Sequence, residues 1–105
     1  MFVTLEKSVP ELPIFSENPL VASPTGHTLK WKAPESNGDP IDYYALRYCP
    51  VHEEIDELLC KERRVGNTTE LELENLEYNT TYYLELVAHN SEGNSTSSNI
   101  TLLVP

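Results

Sequence analysis

Two cysteines, Cys49 and Cys60, are the residues whose type and spacing point most directly to covalent chemistry. Ten residues separate them, so a disulfide would close a short loop and stabilise the fold by roughly 2–3 kcal/mol on the loop-entropy model. The alternative is a pair of free thiols in a reduced protein. We favour the disulfide, because a paired cysteine count and the glycosylation triplets described next both indicate an oxidising secretory route.

N-linked glycosylation is the second modification that the sequence offers, and it requires an Asn-x-Ser/Thr triplet without a central proline. One such triplet arises easily by chance, but this chain has four of them within 35 residues. The predicted acceptors are Asn67, Asn79, Asn94 and Asn99. The first three fall in predicted turns or corners, where a bulky sugar has room, whereas Asn99 lies in or next to a strand. Plain turn composition is the alternative explanation.

Other reactive side chains are not arranged for catalysis or for metal binding. The acidic stretch Glu53–Glu57 lacks the ordered oxygen spacing and the glycine of a calcium loop. His52 and the two cysteines give only three possible zinc ligands and no paired motif. None of the three histidines lies in a nucleophile motif, and no glycine-rich phosphate loop is present. We therefore predict no catalytic residue, no cofactor and no metal.

Composition excludes several classes of partner. The net charge of −10 makes nucleic acid or an anionic membrane an unfavourable partner, since phosphate binding requires clustered Lys and Arg. No apolar run approaches the length of a membrane span, so direct membrane insertion by this fragment is not expected. The opening Met1–Thr4 lacks the features of a signal peptide. If the protein is secreted, we expect this chain to be a piece of a larger one.

Strict alternation of apolar and polar residues is the main structural signal, and it predicts β-strands with one buried face. The longest such stretch covers residues 81–89. Shorter stretches cover residues 27–32, 41–48, 69–74 and 99–104, although the double Leu102-Leu103 leaves the inward face of the last one open. Positions predicted to point inward are Leu29, Trp31, Tyr44, Leu46, Tyr48, Leu71, Leu73, Tyr82, Leu84, Leu86 and Ala88.

Turn chemistry separates these strands. Asn37-Gly38 offers the positive φ angles of a tight turn, and residues 23–26 are also typical of a turn. Pro19 indicates a break between the first apolar pairs, and residues 90–98 are predicted to form a long polar hairpin loop. The segment from Cys49 to Arg64 is ambiguous. We favour a connection followed by a strand near residues 58–65, with a helical turn inside the connection as the alternative.

The pattern of short strands with almost no helical periodicity predicts an all-β sandwich. Its outward positions on the two central strands include Tyr43, Arg47, Tyr83 and Val87. Two tyrosines and an apolar residue on one solvent face would form an unusual patch, which we interpret as a possible partner face. Edge packing or contact with a neighbouring domain is the alternative.

A family resemblance rests on Trp31, Pro34, the run Pro40-Ile41-x-x-Tyr44, and one longer motif. That motif is Leu76-x-x-x-Thr80-x-Tyr82-x-x-x-Leu86-x-Ala88-x-Asn90-x-x-Gly93. Together they resemble a fibronectin type III domain, a seven-stranded immunoglobulin-like β-sandwich. Trp31, Tyr44, Leu76 and Tyr82 are the residues that define this fold, and the hydroxyl of Tyr82 is expected to bond to backbone near Leu76. Residues 12–105 would form the domain, and residues 1–11 a linker.

A narrower resemblance rests on residues 40–50, the second cysteine and residues 81–90. These are similar to a membrane-proximal type III domain of fasciclin II-like neural adhesion molecules of the immunoglobulin superfamily. The resemblance implies a non-catalytic extracellular module at the cell surface, acting as a spacer and interaction domain in cell–cell adhesion or axon guidance. Its partners would be neighbouring domains and homophilic or heterophilic surface proteins. The alternative is a spacer or ligand-binding module of a signalling receptor, such as a receptor phosphatase or guidance receptor. The chain lacks the Arg-Gly-Asp integrin triplet.

Overall fold

Two long antiparallel strands form the centre of the structure, a computed structural model that describes residues 8–16, 20–21, 27–55 and 57–105. They are β4 (Tyr43–His52) and β8 (Thr80–Asn90). They pair from Tyr43 opposite His89 to Val51 opposite Thr81. Apolar residues alternate with polar ones along β8, so every second side chain is buried.

Shorter strands complete two sheets. They are β1 (Ile14–Phe15), β2 (Leu20–Val21), β3 (His27–Lys32), β5 (Glu54–Ile55), β6 (Lys61–Val65), β7 (Glu70–Leu73), β9 (Gly93–Asn94) and β10 (Ser98–Val104). One sheet has the order β1-β3-β7. The other has the order β2-β10-β8-β4-β5, and β6 also pairs with β4 while β9 pairs with β8. The total is the seven strands expected of this sandwich if each of three pairs is counted as one interrupted strand. The pairs are β1/β2, β5/β6 and β9/β10.

The core lies between the two sheets and confirms the predicted inward faces. Leu29 and Trp31 of β3 and Leu71 and Leu73 of β7 meet the inward residues of β4 and β8. Trp31 contacts Tyr44 edge-on, with ring centroids 5.3 Å apart. The alternation of β10 settles the double leucine, because Ile100, Leu102 and Val104 are buried while Leu103 is exposed.

The structure extends one predicted strand and shortens one predicted loop. β4 does not end at Tyr48 but continues through Cys49 and Pro50 to His52, since β8 is long enough to pair with it throughout. The predicted hairpin loop at residues 90–98 is partly strand, because β9 folds back on the end of β8 with Asn94 opposite His89.

The ambiguous segment contains both structures that the sequence allowed. A 3-10 turn covers Glu57–Leu59, and the strand β6 follows it. The tight turn at Asn37-Gly38 is confirmed by positive φ angles of 58° and 91°. The predicted break at Pro19 and turn at residues 23–26 lie outside the described residues.

Ser8 and Val104 lie at opposite poles of the sandwich, which correspond to the two ends of β8. Ser8 lies at one pole, where its carbonyl accepts a hydrogen bond of 2.8 Å from Asn90 at the end of β8. Val104 lies at the other pole, opposite Thr80 at the start of β8. Ser8–Glu11, which the sequence assigned to a linker, bond to the turn between β3 and β4 through Ser8 N to Asn37 O (3.2 Å) and Glu11 N to Glu35 O (3.0 Å). The domain boundary at residue 12 stays a prediction.

Candidate functional site

The outward side chains of β4 and β8 form a half-buried surface that we call the outer face. Strand register places Tyr43 opposite His89, Ala45 opposite Val87 and Arg47 opposite Glu85. One groove of about 200 Å³ is lined by Tyr43, Ala45, Arg47, Glu62, Arg64, Glu85, Val87 and Asn94. Three of the four predicted partner-face residues therefore line one groove: Tyr43, Arg47 and Val87. Tyr83 is not among the lining residues, because it lies farther along β8, opposite Cys49.

An aromatic row forms one wall of this groove. The rings of Tyr43 and His89 stack with centroids 4.3 Å apart and an interplanar angle of 13°. The Arg64 guanidinium lies 5.0 Å from the Tyr43 ring centroid, a cation–π distance. His89 Nδ1 is 3.0 Å from Asp42 Oδ2, and the Asp42 N–H donates to the His89 carbonyl over 2.7 Å. Sequence periodicity placed Tyr43 on this face. It could not predict that His89 would stack on the Tyr43 ring or that Arg64 would lie over it.

Four charged side chains also line the groove: Arg47, Glu62, Arg64 and Glu85. Arg47 Nη1 lies 3.6 Å from Glu85 Oε1, and both side chains are about one-third exposed, at 38% and 32%. Arg64 Nε donates to Glu62 Oε1 over 3.3 Å. Ion pairs as exposed as these add little stability. They leave guanidinium and carboxylate groups available to a partner, which makes the outer face locally mixed in charge although the whole chain is strongly acidic.

The disulfide joins Cys49 and Cys60, with Cα atoms 4.1 Å apart. Cys49 lies within β4, opposite Tyr83, on the same outward side as Arg47. It is completely buried. The bridge therefore fastens the connection between β4 and β6 across the end of the outer face.

The predicted tyrosine corner is present at the C-terminal pole. The Glu77 N–H, next to buried Leu76, donates to the Tyr82 hydroxyl over 2.9 Å. A cavity of about 190 Å³ lies beside this corner, lined by Tyr48, Pro50, Leu59, Lys61, Glu74, Asn75, Leu76, Glu77 and Tyr82. Both cavities are below the range of about 300–1,000 Å³ that is usual for sites of drug-sized ligands.

The sequence did not predict the set of hydrogen bonds that Asn90 makes at the pole where Ser8 lies, which we call the polar clamp. Asn90 is completely buried, and its Nδ2 donates to the carbonyls of Ser8 (2.8 Å), Ser36 (3.0 Å) and Asp39 (3.3 Å). Its Oδ1 accepts from the Glu92 N–H over 2.9 Å. The family motif contains Asn90, but the carbonyls to which its amide donates are 51 to 82 residues away in sequence, so a local sequence pattern could not assign its role.

The four glycosylation acceptors are all exposed. Asn67 lies in the turn between β6 and β7, and Asn79 occupies a left-handed position at the corner between β7 and β8, with φ of 54°. Asn94 lies in β9 rather than in an open loop, and Asn99 lies in β10. Glycosylation of these four asparagines stays a prediction. Across the described ranges, no group of three or more His, Cys, Asp and Glu side chains could hold a metal ion.

Comparison with known proteins defines the class. A sequence model of the fibronectin type III domain matches residues 18–102. The chain therefore belongs to the fibronectin type III family, which confirms the predicted all-β sandwich. Among solved structures, the chicken CNTN1 FN1–FN3 domains match with a TM-score of 0.67 and 27% identity over 87% of this chain and 29% of that one. The FN5 domain of Drosophila Lar matches with a TM-score of 0.60 and 21% identity over 90% of this chain and 98% of that one, a likeness of fold alone.

Two curated relatives match most of this chain, and the name of one describes a cell adhesion molecule. The chain is 38% identical to Fasciclin-2 of Schistocerca americana over 93 residues, which cover 81% of this chain and 10% of that protein. It is 30% identical to the cell adhesion molecule Dscam1 of Drosophila melanogaster over 101 residues, which cover 93% of this chain and 5% of that protein. The predicted resemblance to fasciclin II-like molecules is confirmed. The chain spans only a small part of either relative. In the described part of the chain, no helix is long and apolar enough to cross a membrane.

Proposed function

We propose that this chain is an extracellular, non-catalytic module of a cell-surface adhesion protein, where it acts as a spacer and as a protein–protein interaction domain. The proposed role in adhesion is supported by the similarity to Fasciclin-2 and to the cell adhesion molecule Dscam1. The disulfide supports an oxidising compartment. Roles in neural adhesion and axon guidance follow from the same resemblance and belong to the proposal.

Chain geometry is the observation that carries the spacer role. Ser8 lies at the Asn90 end of β8, and Val104 lies at its Thr80 end. The ten residue steps between these ends of the eleven-residue strand span about 33 Å, at about 3.3 Å per residue. The polypeptide therefore enters at one pole and leaves at the other, which is the arrangement that lengthens a row of domains. The clamp around Asn90 holds Ser8 at its pole.

The outer face supports the interaction role. It offers a half-buried tyrosine, an apolar floor formed by Ala45 and Val87, and both signs of charge around one groove. Protein interfaces are enriched in tyrosine and arginine. A protein surface that presents a small side chain of either charge fits this groove better than nucleic acid does, because the chain as a whole is strongly negative.

The compartment is tested by the intact mass of the domain secreted from animal cells, measured with and without glycosidase and after thiol alkylation. We expect glycans on several of the four acceptors and no alkylated cysteine. An unglycosylated protein with two reactive thiols would contradict the extracellular proposal.

The interaction role is tested by a binding assay on the outer face. Beads carry the secreted domain, and the soluble probe is either the relative Fasciclin-2 or a second copy of the domain. Because Tyr83 is outward and half-buried, we expect Tyr83→Ala to weaken binding while the melting temperature stays nearly unchanged. Val87→Ser, in the floor of the groove, should weaken binding further, and Glu72→Gln on the opposite sheet is the matched control. A clear fall in melting temperature with intact binding would contradict a partner role for Tyr83.

A further inference from the structure

Two of the four predicted glycosylation acceptors lie along the same edge of the outer face. Strand pairing places Asn94 in register with His89, which is in register with Tyr43. It also places Asn99 in register with Glu85, which is in register with Arg47. The two rows that border the groove therefore both end in an acceptor asparagine on the β9–β10 side, whereas Asn79 lies at the opposite pole, next to Thr80 at the start of β8.

The middle residue of the Asn94 triplet, Ser95, anchors this segment to β8. The Ser95 side chain is buried, and its Oγ accepts from the Ala88 N–H over 2.9 Å and donates to the Thr96 carbonyl over 2.8 Å. The Ser95 N–H in turn donates to the Ala88 carbonyl over 2.8 Å. Asn94 is in register with His89, an outward residue of β8, and residues opposite each other on paired strands share a face, so Asn94 points to the outer face. Asn94 is accordingly exposed and lines the groove.

The groove has the size and chemistry that suit one sugar ring. Its volume is about 200 Å³, below that of a usual drug-sized site. Small side chains, Ala45 and Val87, form its floor, so a ring can approach the sheet closely. The carboxylates of Glu62 and Glu85 can accept hydrogen bonds from sugar hydroxyls, and the guanidinium groups of Arg47 and Arg64 can donate to sugar oxygens.

We propose that Asn94 carries an N-linked glycan whose first sugar lies over this groove, so that occupancy of Asn94 controls the access of a protein partner to the outer face. With the glycan in place, its first sugar fills the groove, and a protein partner can contact the outer face only near Tyr83. Without it, the whole face is open. The inference rests on the extracellular function proposed above, because glycans are added only along the secretory route.

Hydroxyl-radical footprinting of the secreted domain, read by mass spectrometry, tests the proposal without a known partner. Thr96→Ala removes the triplet but keeps Asn94 and the backbone carbonyl that Ser95 uses. We expect this variant to lose the mass of one glycan and the labelling of Tyr43 to rise several-fold. Thr81→Ala is the matched control, because it removes the Asn79 triplet at the other end of β8; it should also lose one glycan while Tyr43 labelling stays unchanged. Tyr78, 67% exposed at the far pole, serves as the internal reference for the Thr96→Ala comparison.

Each other outcome has a distinct meaning. An unmodified Asn94 in a protein glycosylated elsewhere would overturn the inference and leave the extracellular proposal standing. A modified Asn94 with Tyr43 labelling unaffected by Thr96→Ala would show that the glycan points into solvent, which also overturns it. No glycan at any acceptor, with two alkylated thiols, would overturn the proposed function itself. If Thr96→Ala fails to fold, Asn94→Gln gives the same comparison.

Discussion

Two buried tyrosine hydroxyls in this domain have opposite environments. The Tyr82 hydroxyl accepts the Glu77 N–H over 2.9 Å and closes the corner before β8. The Tyr44 hydroxyl is buried against Trp31, and within the described residues neither it nor the Trp31 indole N–H has a hydrogen-bond partner of acceptable geometry. Burial raises the pKa of Tyr44, an effect that the neighbouring Trp31 N–H opposes. The same chemical change should therefore have different consequences at the two positions.

Tyr82→Phe should lower the free energy of unfolding by about 1–2 kcal/mol, because it leaves the partly buried Glu77 N–H without its acceptor. Urea unfolding at neutral pH measures the change. Tyr83→Phe, one position along and on the outer face, is the control and should be near neutral. Equal losses in the two variants would show that the corner bond contributes nothing specific.

Tyr44→Phe should be neutral or slightly stabilising at neutral pH, because it removes a buried hydroxyl that has no partner. Its effect should grow in alkali. A folded-state pKa above the unfolded value of 10.0 means that only the unfolded chain ionises at first, so stability falls as the pH rises past about 10 and on through the folded pKa. The variant should lose less stability than the parent over that window. An identical alkaline decline in both would refute this account of Tyr44.

Asn90 shows how one amide can join distant parts of the chain. Asn90→Asp would place a carboxylate against the carbonyls of Ser8, Ser36 and Asp39, to which the amide now donates. We expect a loss of about 3 kcal/mol or more, since a buried group would be left charged or unsatisfied. Asn67→Asp adds the same charge at an exposed turn and should change stability little. Equal effects would attribute the loss to net charge instead of the clamp.

At the scale of elements, alternation was sufficient to predict the strands that bury one face. β3, β7 and β8 have the predicted inward residues, because each strand lies with one side on the core. Two features depended on partners distant in sequence. β4 passes through Cys49-Pro50 because β8 continues to pair with it. β9 pairs with the end of β8, and Ser95, which follows it, bonds to Ala88 of β8.

The outer face was predictable in part for the same reason. Parity placed Tyr43, Arg47 and Val87 outward, and strand register then brought them around one groove. Parity says nothing about register, so it grouped Tyr83 with them although that residue lies opposite Cys49. The contributions of Arg64 and Glu62 came from β6, whose segment the sequence left ambiguous.

The disulfide is the element-scale feature with the clearest energetic consequence. Cys49 and Cys60 are 11 positions apart, and closing a loop of that length should stabilise the domain by about 3 kcal/mol through the unfolded state. Adding a reductant should therefore lower the urea midpoint. The Cys49→Ala/Cys60→Ala double variant should start lower and not respond to the reductant. A reductant response in that variant would mean that the effect does not come from the bridge.

At the scale of the whole molecule, charge is the dominant long-range force. Seventeen acidic side chains face seven basic ones, which leaves a net charge of −10 on a small domain. Such self-repulsion opposes the compact state. Exposed ion pairs such as Arg47–Glu85 act in the other direction, but each contributes at most about 1 kcal/mol and often nothing measurable. The uncompensated charges outnumber these pairs, so screening should favour the folded domain.

Raising the NaCl concentration from a low value to physiological strength should therefore increase the melting temperature. A gain of about 1 kcal/mol would raise it by roughly 4–8 °C for a domain of this size. Calorimetry across a salt series measures the change. Screening should be largely complete near about 0.15 M, where the Debye length is about 8 Å, so the curve should flatten there. A melting temperature that falls with salt would mean that the ion pairs of the outer face outweigh the repulsion, and one that climbs steadily into molar salt would indicate preferential exclusion of the salt instead of screening.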